Sequence, residues 1–493
     1  MKVRPFVNHL AQGTAILVAP AALAMHLLPG CGSDPVAGDA AVTNDAAGDV
    51  TTTTDGPTSD GGVAATGPFV LFGPNTAKTT HLIDLKGNEV HKWTHDVQPG
   101  QAVRLLDDGR LFRCERVDPN LFEQGGTGGG VAIYDWDGNK QWSYAYATAS
   151  HWQHHDAEYM PNGHVLIIAW ETKTRAEAIA GGRSADLTNQ TGIWVDHIIE
   201  VDPKTDAIVW EWHEWDHLVD SGSKPSAQPM RIDPNAEAKA GTIDWSHFNS
   251  IRYNAALDQI VVSAHNLNEF FVIDHSTTTA EAKGHSGGKR GQGGDLLYRW
   301  GNAANYGGTN AGSTGLSGQH DVEWIPDGLQ GAGHFLIFDN GFSRSYSRVI
   351  EIVQPVQADG SYAFVNNVYG PDSVLWEYKA NPQTSFYASH ISGSQRLVSG
   401  NTQITDGPSG HLFEVTPAGA TVWEYQLKSK SGGGAETFRS ERYESDFSGL
   451  KGKSLVAGGP VEFEGAGGAG KDGGTKLDAG GKDGGPKGDG APK

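Results

Sequence analysis

Four histidines recur at matching places along a chain that otherwise carries few local signs of chemistry. His155 stands in His154-His155-Asp156-Ala157-Glu158-Tyr159, and His247 in Trp245-Ser246-His247-Phe248-Asn249-Ser250. His320 stands in Gln319-His320-Asp321-Val322-Glu323-Trp324, and His390 in Ser389-His390-Ile391-Ser392. Each leads into a β-hairpin pattern. An imidazole near neutral pH is a nucleophile and a general acid or base. Several together, partly protonated, make a pocket for an oxyanion, and with aspartate they also make a metal-ligand set. None of these four lies at helical spacing from another, as the ligands of a local metal motif would. The plain structural reading is that such histidines tie neighbouring strands together. It serves for any one of them, but it does not account for four in register.

Residues so far apart meet only if a repeat brings them together. Between Phe69 and Leu427 short apolar runs alternate with Gly, Asn, Asp and Pro, the mark of many short strands. Six segments share one plan, a strand, a polar turn and a second strand reaching Trp: 81–93, 131–142, 198–210, 271–300, 349–376 and 412–423. A different hairpin precedes most of them, as at Tyr159–Ile168 and Arg396–Asn401. Two hairpins per unit give four strands, and radial four-stranded sheets are propeller blades. The expectation is an all-β, six-bladed β-propeller over residues 67–464, with each Trp packed between neighbouring blades. First strands line the axis of a propeller, so the histidines would converge at one mouth of its channel. Residues 277–318 form a long insertion, either a lid or a rim contact. Residues 438–456 would close the ring or cap it.

The flanks read differently. Lys2 and Arg4 precede an apolar stretch ending Leu28-Pro29-Gly30-Cys31, which predicts an export signal over residues 1–30 with Cys31 as the lipidated mature N-terminus. Residues 31–66 hold Asp, Ala, Thr and Gly without Lys or Arg and have too little to bury for a fold, so they predict a flexible acidic tether. Residues 465–493 are a Gly/Lys/Asp tail lacking the every-third-residue glycine of collagen. Together these predict a lipoprotein of the bacterial cell envelope, periplasmic or outer-membrane-anchored. With only two cysteines, Cys31 and Cys114, a lipidated Cys31 leaves no disulfide. The net charge of −21 argues against a nucleic-acid partner.

The elements Trp245-Ser246-His247-Phe248-Asn249-Ser250, Gln319-His320-Asp321, Phe338-Asp339-Asn340-Gly341, Arg396-Leu397-Val398-Ser399-Gly400-Asn401 and Val422-Trp423-Glu424-Tyr425, in this order, resemble the bacterial arylsulfotransferase (aryl-sulfate sulfotransferase) family. The resemblance runs from about Phe69 to Leu455. It implies sulfuryl transfer from a phenolic sulfate ester to a phenol, without a nucleotide sulfate donor and without cofactor or metal. It further implies His320 as the catalytic histidine that takes the sulfuryl group, with His155, His247 and Asn249 binding substrate. At the position of a family arginine this chain has His265, which exchanges a permanent charge for a conditional one. Arg252 and Arg344 are the candidates to compensate. Two other functions share the same residues: a metal-dependent propeller hydrolase and a non-catalytic ligand-binding propeller. A quinone-cofactor propeller does not fit, since its Trp-rich repeats and clustered carboxylates are missing.

Overall fold

The computed structural model describes residues 64–464, apart from 238–240, 312–313, 431 and 433. The predicted signal, Cys31, most of the tether and the tail lie outside the described residues. Within them, the chain forms six four-stranded antiparallel sheets and one two-stranded hairpin, and the six sheets are the blades of a β-propeller. From the axis outward, blade two is Pro99–Leu105, Leu111–Arg116, Gly129–Tyr134 and Lys140–Ala145. Blade three is His151–Tyr159, Val165–Lys173, Ile193–Asp202 and Ala207–His213. Blade four is Phe248–Asn254, Gln259–Ala264, Glu269–Asp274 and Tyr298–Trp300. Blade five is His320–Trp324, Phe335–Asp339, Arg348–Ile352 and Trp376–Tyr378, and blade six is Gly393–Arg396, Thr402–Asp406, His411–Val415 and Thr421–Gln426.

Blade one is composite. Phe69–Pro74, Thr79–Asp84 and Glu89–Thr94 form its outer part, and Thr437–Tyr443 from the far end of the domain pairs with Phe69–Pro74 as the innermost strand. The ring is therefore closed by strand 437–443. Ala65 N–H donates to the Leu455 carbonyl at 2.9 Å, so the propeller makes contacts slightly before the expected residue 67.

Each interface between neighbouring blades holds its own apolar core. Leu166, Ile168, Ile198, Ile251, Val262 and Phe271 fill the one between blades three and four, and Val70, Phe72, Ile83 and Leu412 the one across the ring closure. The repeated Trp residues do more than fill space. Each donates its indole N–H to the next blade: Trp93 to the Asp135 carbonyl, Trp142 to Asp206, Trp210 to Thr277, Trp300 to the Pro371 carbonyl, Trp376 to the Pro417 carbonyl and Trp423 to the Leu85 carbonyl. The last bond spans the ring closure. A large ring with one polar end suits a seam that is apolar inside and ends in a turn.

The first part of the long insertion, residues 277–297, lies along the outer edge of the ring, and its last residues return to the mouth, where the Ser317 carbonyl accepts from the Gly341 N–H at 2.8 Å. Trp212 of blade three donates to the Gly294 carbonyl at 2.7 Å, and Tyr298 to the Gly370 carbonyl at 2.6 Å. Cys114 is buried and unpaired. Among the described residues no helix is long and apolar enough to cross a membrane.

Candidate active site at the mouth of the channel

The inner strands are irregular where the histidines sit. Pairing register shifts between Gln153 and Ala157, between Phe248 and Ile251, and between His320 and Val322. Positive φ occurs at His155 (49°), His247 (56°) and Asp321 (50°). A bulge adds a residue to one strand and turns its side chains off the sheet face. Here it turns imidazoles of blades three, four and five toward the axis.

His155, His247, His265 and His320 form one chain of rings. Centroids are 4.6 Å apart for His155–His247, 5.3 Å for His247–His265 and 5.0 Å for His265–His320. His265 comes from the end of the second strand of blade four, where its N–H donates to the His247 carbonyl. His390 is half-buried, bonds Ser389 and belongs to the rim. Phe342 packs against His265 and is exposed.

The partners of these rings fix their protons. Asn340 donates its amide to the Ala388 and Ile391 carbonyls, so its Oδ1 faces His320 Nδ1 at 2.8 Å. His320 therefore carries its proton on Nδ1 and keeps a bare lone pair on Nε2. His265 has the same arrangement, with Asn266 Oδ1 at 2.8 Å and the Asn266 amide committed to the Asp244 carbonyl. Asp244 Oδ2 lies 2.5 Å from His247 Nδ1.

His155 ends a longer relay. Its Nδ1 is 2.8 Å from His154 Nδ1, and His154 Nε2 donates to Asp196 Oδ1 at 2.7 Å. Asp196 Oδ2 accepts from Ser246 at 2.6 Å, and Ser246 Oγ also lies 2.5 Å from Glu214 Oε2. One hydroxyl proton cannot serve two carboxylates. Burial and the charge of Asp196 push Glu214 up to about 8, so Glu214 supplies the second proton. His154 stacks on Trp170 with 4.0 Å between centroids. Gly126 lies against the far edge of His155, where an added Cβ would come within 1.9 Å of Nε2.

Charge is distributed unevenly over the rings. Burial, then the neighbouring imidazoles, hold His155 and His320 well below the ordinary histidine range. Burial and His247 lower His265 to about 3. Burial also works against His247, but the carboxylate of Asp244 outweighs it and raises this histidine. Of the four rings, His247 is thus the one that most readily takes a proton.

Neither candidate arginine is free to add another. Arg252 bonds Asp156 and Asp321, both at 2.8 Å, and Arg344 bonds Asp339 at 2.6 Å. Asn249 is buried and donates to the Gln319 carbonyl at 2.8 Å, which leaves its Oδ1 without a donor. It therefore presents an acceptor, where a sulfate-binding role asks for a donor.

Behind the histidines the channel is filled. Arg439 of the closing strand bonds Asp321 at 2.5 Å and Asp156 at 3.1 Å, and Arg104 joins Asp156 and Glu158. Asp156 and Asp321 also accept from the backbone N–H groups of Ile251 and Ser394. The aspartates that follow His155 and His320 thus tie blades together and do not orient the imidazoles. Sequence reasoning missed Asp196, Asp244, Ser246, Glu214 and Asn340 as partners. Only the doublet His154-His155 carried a trace of the relay.

A protein-family model, Arylsulfotransferase (ASST), matches residues 69–431. The chain belongs to this arylsulfotransferase family. No curated protein is significantly similar in sequence. Among solved structures, a protein of unknown function from Bacteroides caccae shares 13% identity over 76% of this chain and 99% of its own, with a TM-score of 0.43. A putative 6-phosphogluconolactonase from Bacteroides fragilis shares 9% over 79% and 100%, with a TM-score of 0.39. Virginiamycin B lyase from Staphylococcus aureus shares 12% over 72% and 80%, with a TM-score of 0.34. These likenesses carry no information on the activity of this chain.

Proposed function

We propose that this protein moves a sulfuryl group from a phenolic sulfate ester to a phenol through a sulfo-histidine on His320. The observation that carries the reading is the bare Nε2 of His320, fixed by the orientation of Asn340, in one chain of rings with His247, whose affinity for a proton Asp244 raises. Sulfuryl transfer is taken to have a loose in-line transition state, as phosphoryl transfer does, so positioning and charge do most of the work.

In the first half, His320 Nε2 attacks sulfur, the S–O bond to the aryl group breaks, and His247 gives its proton to the departing phenolate. In the second half, neutral His247 takes the proton of the acceptor phenol, whose oxygen attacks sulfur and releases His320. Atoms and charge balance over the cycle, and the kinetics are ping-pong. The domain would work in the bacterial envelope, held by lipid on Cys31.

Intact-mass measurement and peptide mapping after brief mixing with a nitrophenyl sulfate test this. One sulfuryl group should appear on His320 and leave when a phenol is added, and His320→Asn should remove both adduct and turnover. An adduct on another residue, or phenol release undiminished in His320→Asn, overturns the assignment.

A further inference from the structure

Residues 275–297 join the third and fourth strands of blade four and include a short helical turn, Thr279–Ala282, and several glycines. They lie against blade three, where two histidines and an aspartate meet. His217 ends the 3-10 turn Glu214–His217 and is fully buried. His217 Nδ1 is 2.9 Å from Asp295 Oδ1, and His285 Nδ1 is 2.8 Å from the same oxygen. One ligand atom from each of the three residues falls within 4.8 Å of the others.

Hydrogen bonding alone does not satisfy this group in its neutral form. His217 Nε2 lies 2.8 Å from the Ala282 carbonyl, which can only accept, so the ring proton sits there. A neutral His217 then turns a bare lone pair at a carboxylate oxygen. A second imidazole nitrogen faces the same oxygen. The outer positions are also fixed: Ala282 holds the far nitrogen of His217, and Arg231 Nε holds Asp295 Oδ2 at 3.3 Å. Converging imidazole and carboxylate donors with their outer atoms held by the protein are the two layers of a divalent metal site.

The rings stand at 87° with centroids 5.9 Å apart, so their planes intersect and in-plane lone pairs can share one ion. Gly294 permits the approach, since a Cβ there would lie 1.9 Å from the Ala282 carbonyl oxygen. The other gathered group, Glu171, His197 and His213, is built differently. Its two rings are parallel to within 2°, and the Lys173 ammonium already occupies Glu171 Oε1 at 3.1 Å.

We propose that His217 Nδ1, His285 Nδ1 and Asp295 Oδ1 bind a divalent transition-metal ion of the zinc type, with solvent completing its shell on the exposed His285 side. The ion clips the inserted stretch to blade three, where a metal can supply the order that a disulfide gives elsewhere. This assignment is independent of sulfuryl transfer.

Cobalt(II) titration of the chelator-treated full chain tests it, read by visible d–d absorption and by metal retained per chain. One equivalent should bind, His285→Ala should weaken it at least about tenfold, and His213→Ala should leave it unchanged. Zinc should displace the cobalt and slow tryptic cleavage after Lys283, Lys289 and Arg290 in the parent chain but not in His285→Ala. No binding, or binding lost in His213→Ala and kept in His285→Ala, overturns the site.

Discussion

His154 and His155 face each other through their Nδ1 atoms, 2.8 Å apart, and one proton serves the pair. Asp196 decides which ring carries it. Because His154 Nε2–H donates to Asp196, the shared proton belongs to His155, and His155 Nε2 is left without a proton. Asp196→Asn removes the charge that keeps His154 in this tautomer and changes little in volume. It should lower turnover by about tenfold to a hundredfold, the scale seen when a partner orienting an imidazole is removed, and should flatten the pH–rate profile with KM little changed. Steady-state kinetics over a range of pH check this. An unchanged profile would show that the relay does not reach the reacting groups.

Among the described residues the mouth shows no permanent cation free to meet a sulfate. His265 is kept neutral by burial and by His247, and Arg252 and Arg344 are spent on carboxylates. His265→Arg would place a fixed, bidentate donor there. KM for aryl sulfates should fall several-fold, and the rate should lose part of its decline at high pH, where His247 loses its proton. A rise in KM across several donors would remove position 265 from the sulfate pocket.

The architecture could be read from the sequence because it is periodic. A strand, turn and strand ending in Trp recurs six times, and each Trp has a packing reason to recur. The histidines could be placed at one mouth for the same reason, since their position in the repeat fixes their position on the ring. Their partners could not. Asp196 reaches His154 from the regular third strand of blade three and Asp244 reaches His247 from a loop, and neither residue type recurs at that place in the other repeats. Asn249 shows the opposite failure. Its type and place suggested a donor, but its orientation is set by the carbonyl of Gln319, a tertiary contact without a sequence signal.

Acid should weaken the fold before it unfolds an ordinary carboxylate-rich protein. His155 and His320 are held well below the usual range by burial and neighbouring imidazoles, and His265 and His197 are lowered to about 3 by burial. The unfolded chain takes up protons at these positions below about pH 6.5, and the folded chain refuses them. Stability is therefore present above that value and declines as pH falls toward 3. For buried His197 alone the loss at pH 5 is about 2 kcal/mol. His247 has the reverse sign, because its raised pKa stabilises below about 6.5 and the contribution fades as pH rises through its folded value. Melting temperature should fall steadily from pH 7 to pH 5, and added sulfate should restore part of it by favouring protonated imidazoles in the folded mouth. A melting temperature that is flat over this interval would show that the folded chain takes up protons at these histidines as readily as the unfolded chain does.

Ring closure and the floor of the site depend on one buried cation. Arg439 lies on the strand that completes blade one and reaches Asp321 of blade five and Asp156 of blade three. Arg104 and Arg252 also reach Asp156, and Arg252 reaches Asp321, so each carboxylate keeps a second partner when Arg439 is lost. Arg439→Met keeps the apolar stem but removes the guanidinium that lies over the Phe438 ring and leaves two buried carboxylates with less compensation. Breaking a buried pair in this way costs about 3–5 kcal/mol. The remaining arginines should hold the effect at the lower end, and because burial raises the Asp156 carboxyl while Arg104, Arg439 and Arg252 hold it low, loss of Arg439 should let it take up a proton more readily and make the destabilisation smaller at acid pH. Denaturant unfolding at pH 7.5 and pH 5 measures both. Equal destabilisation at the two values would mean that loss of packing, and not the stranded charge, explains the change.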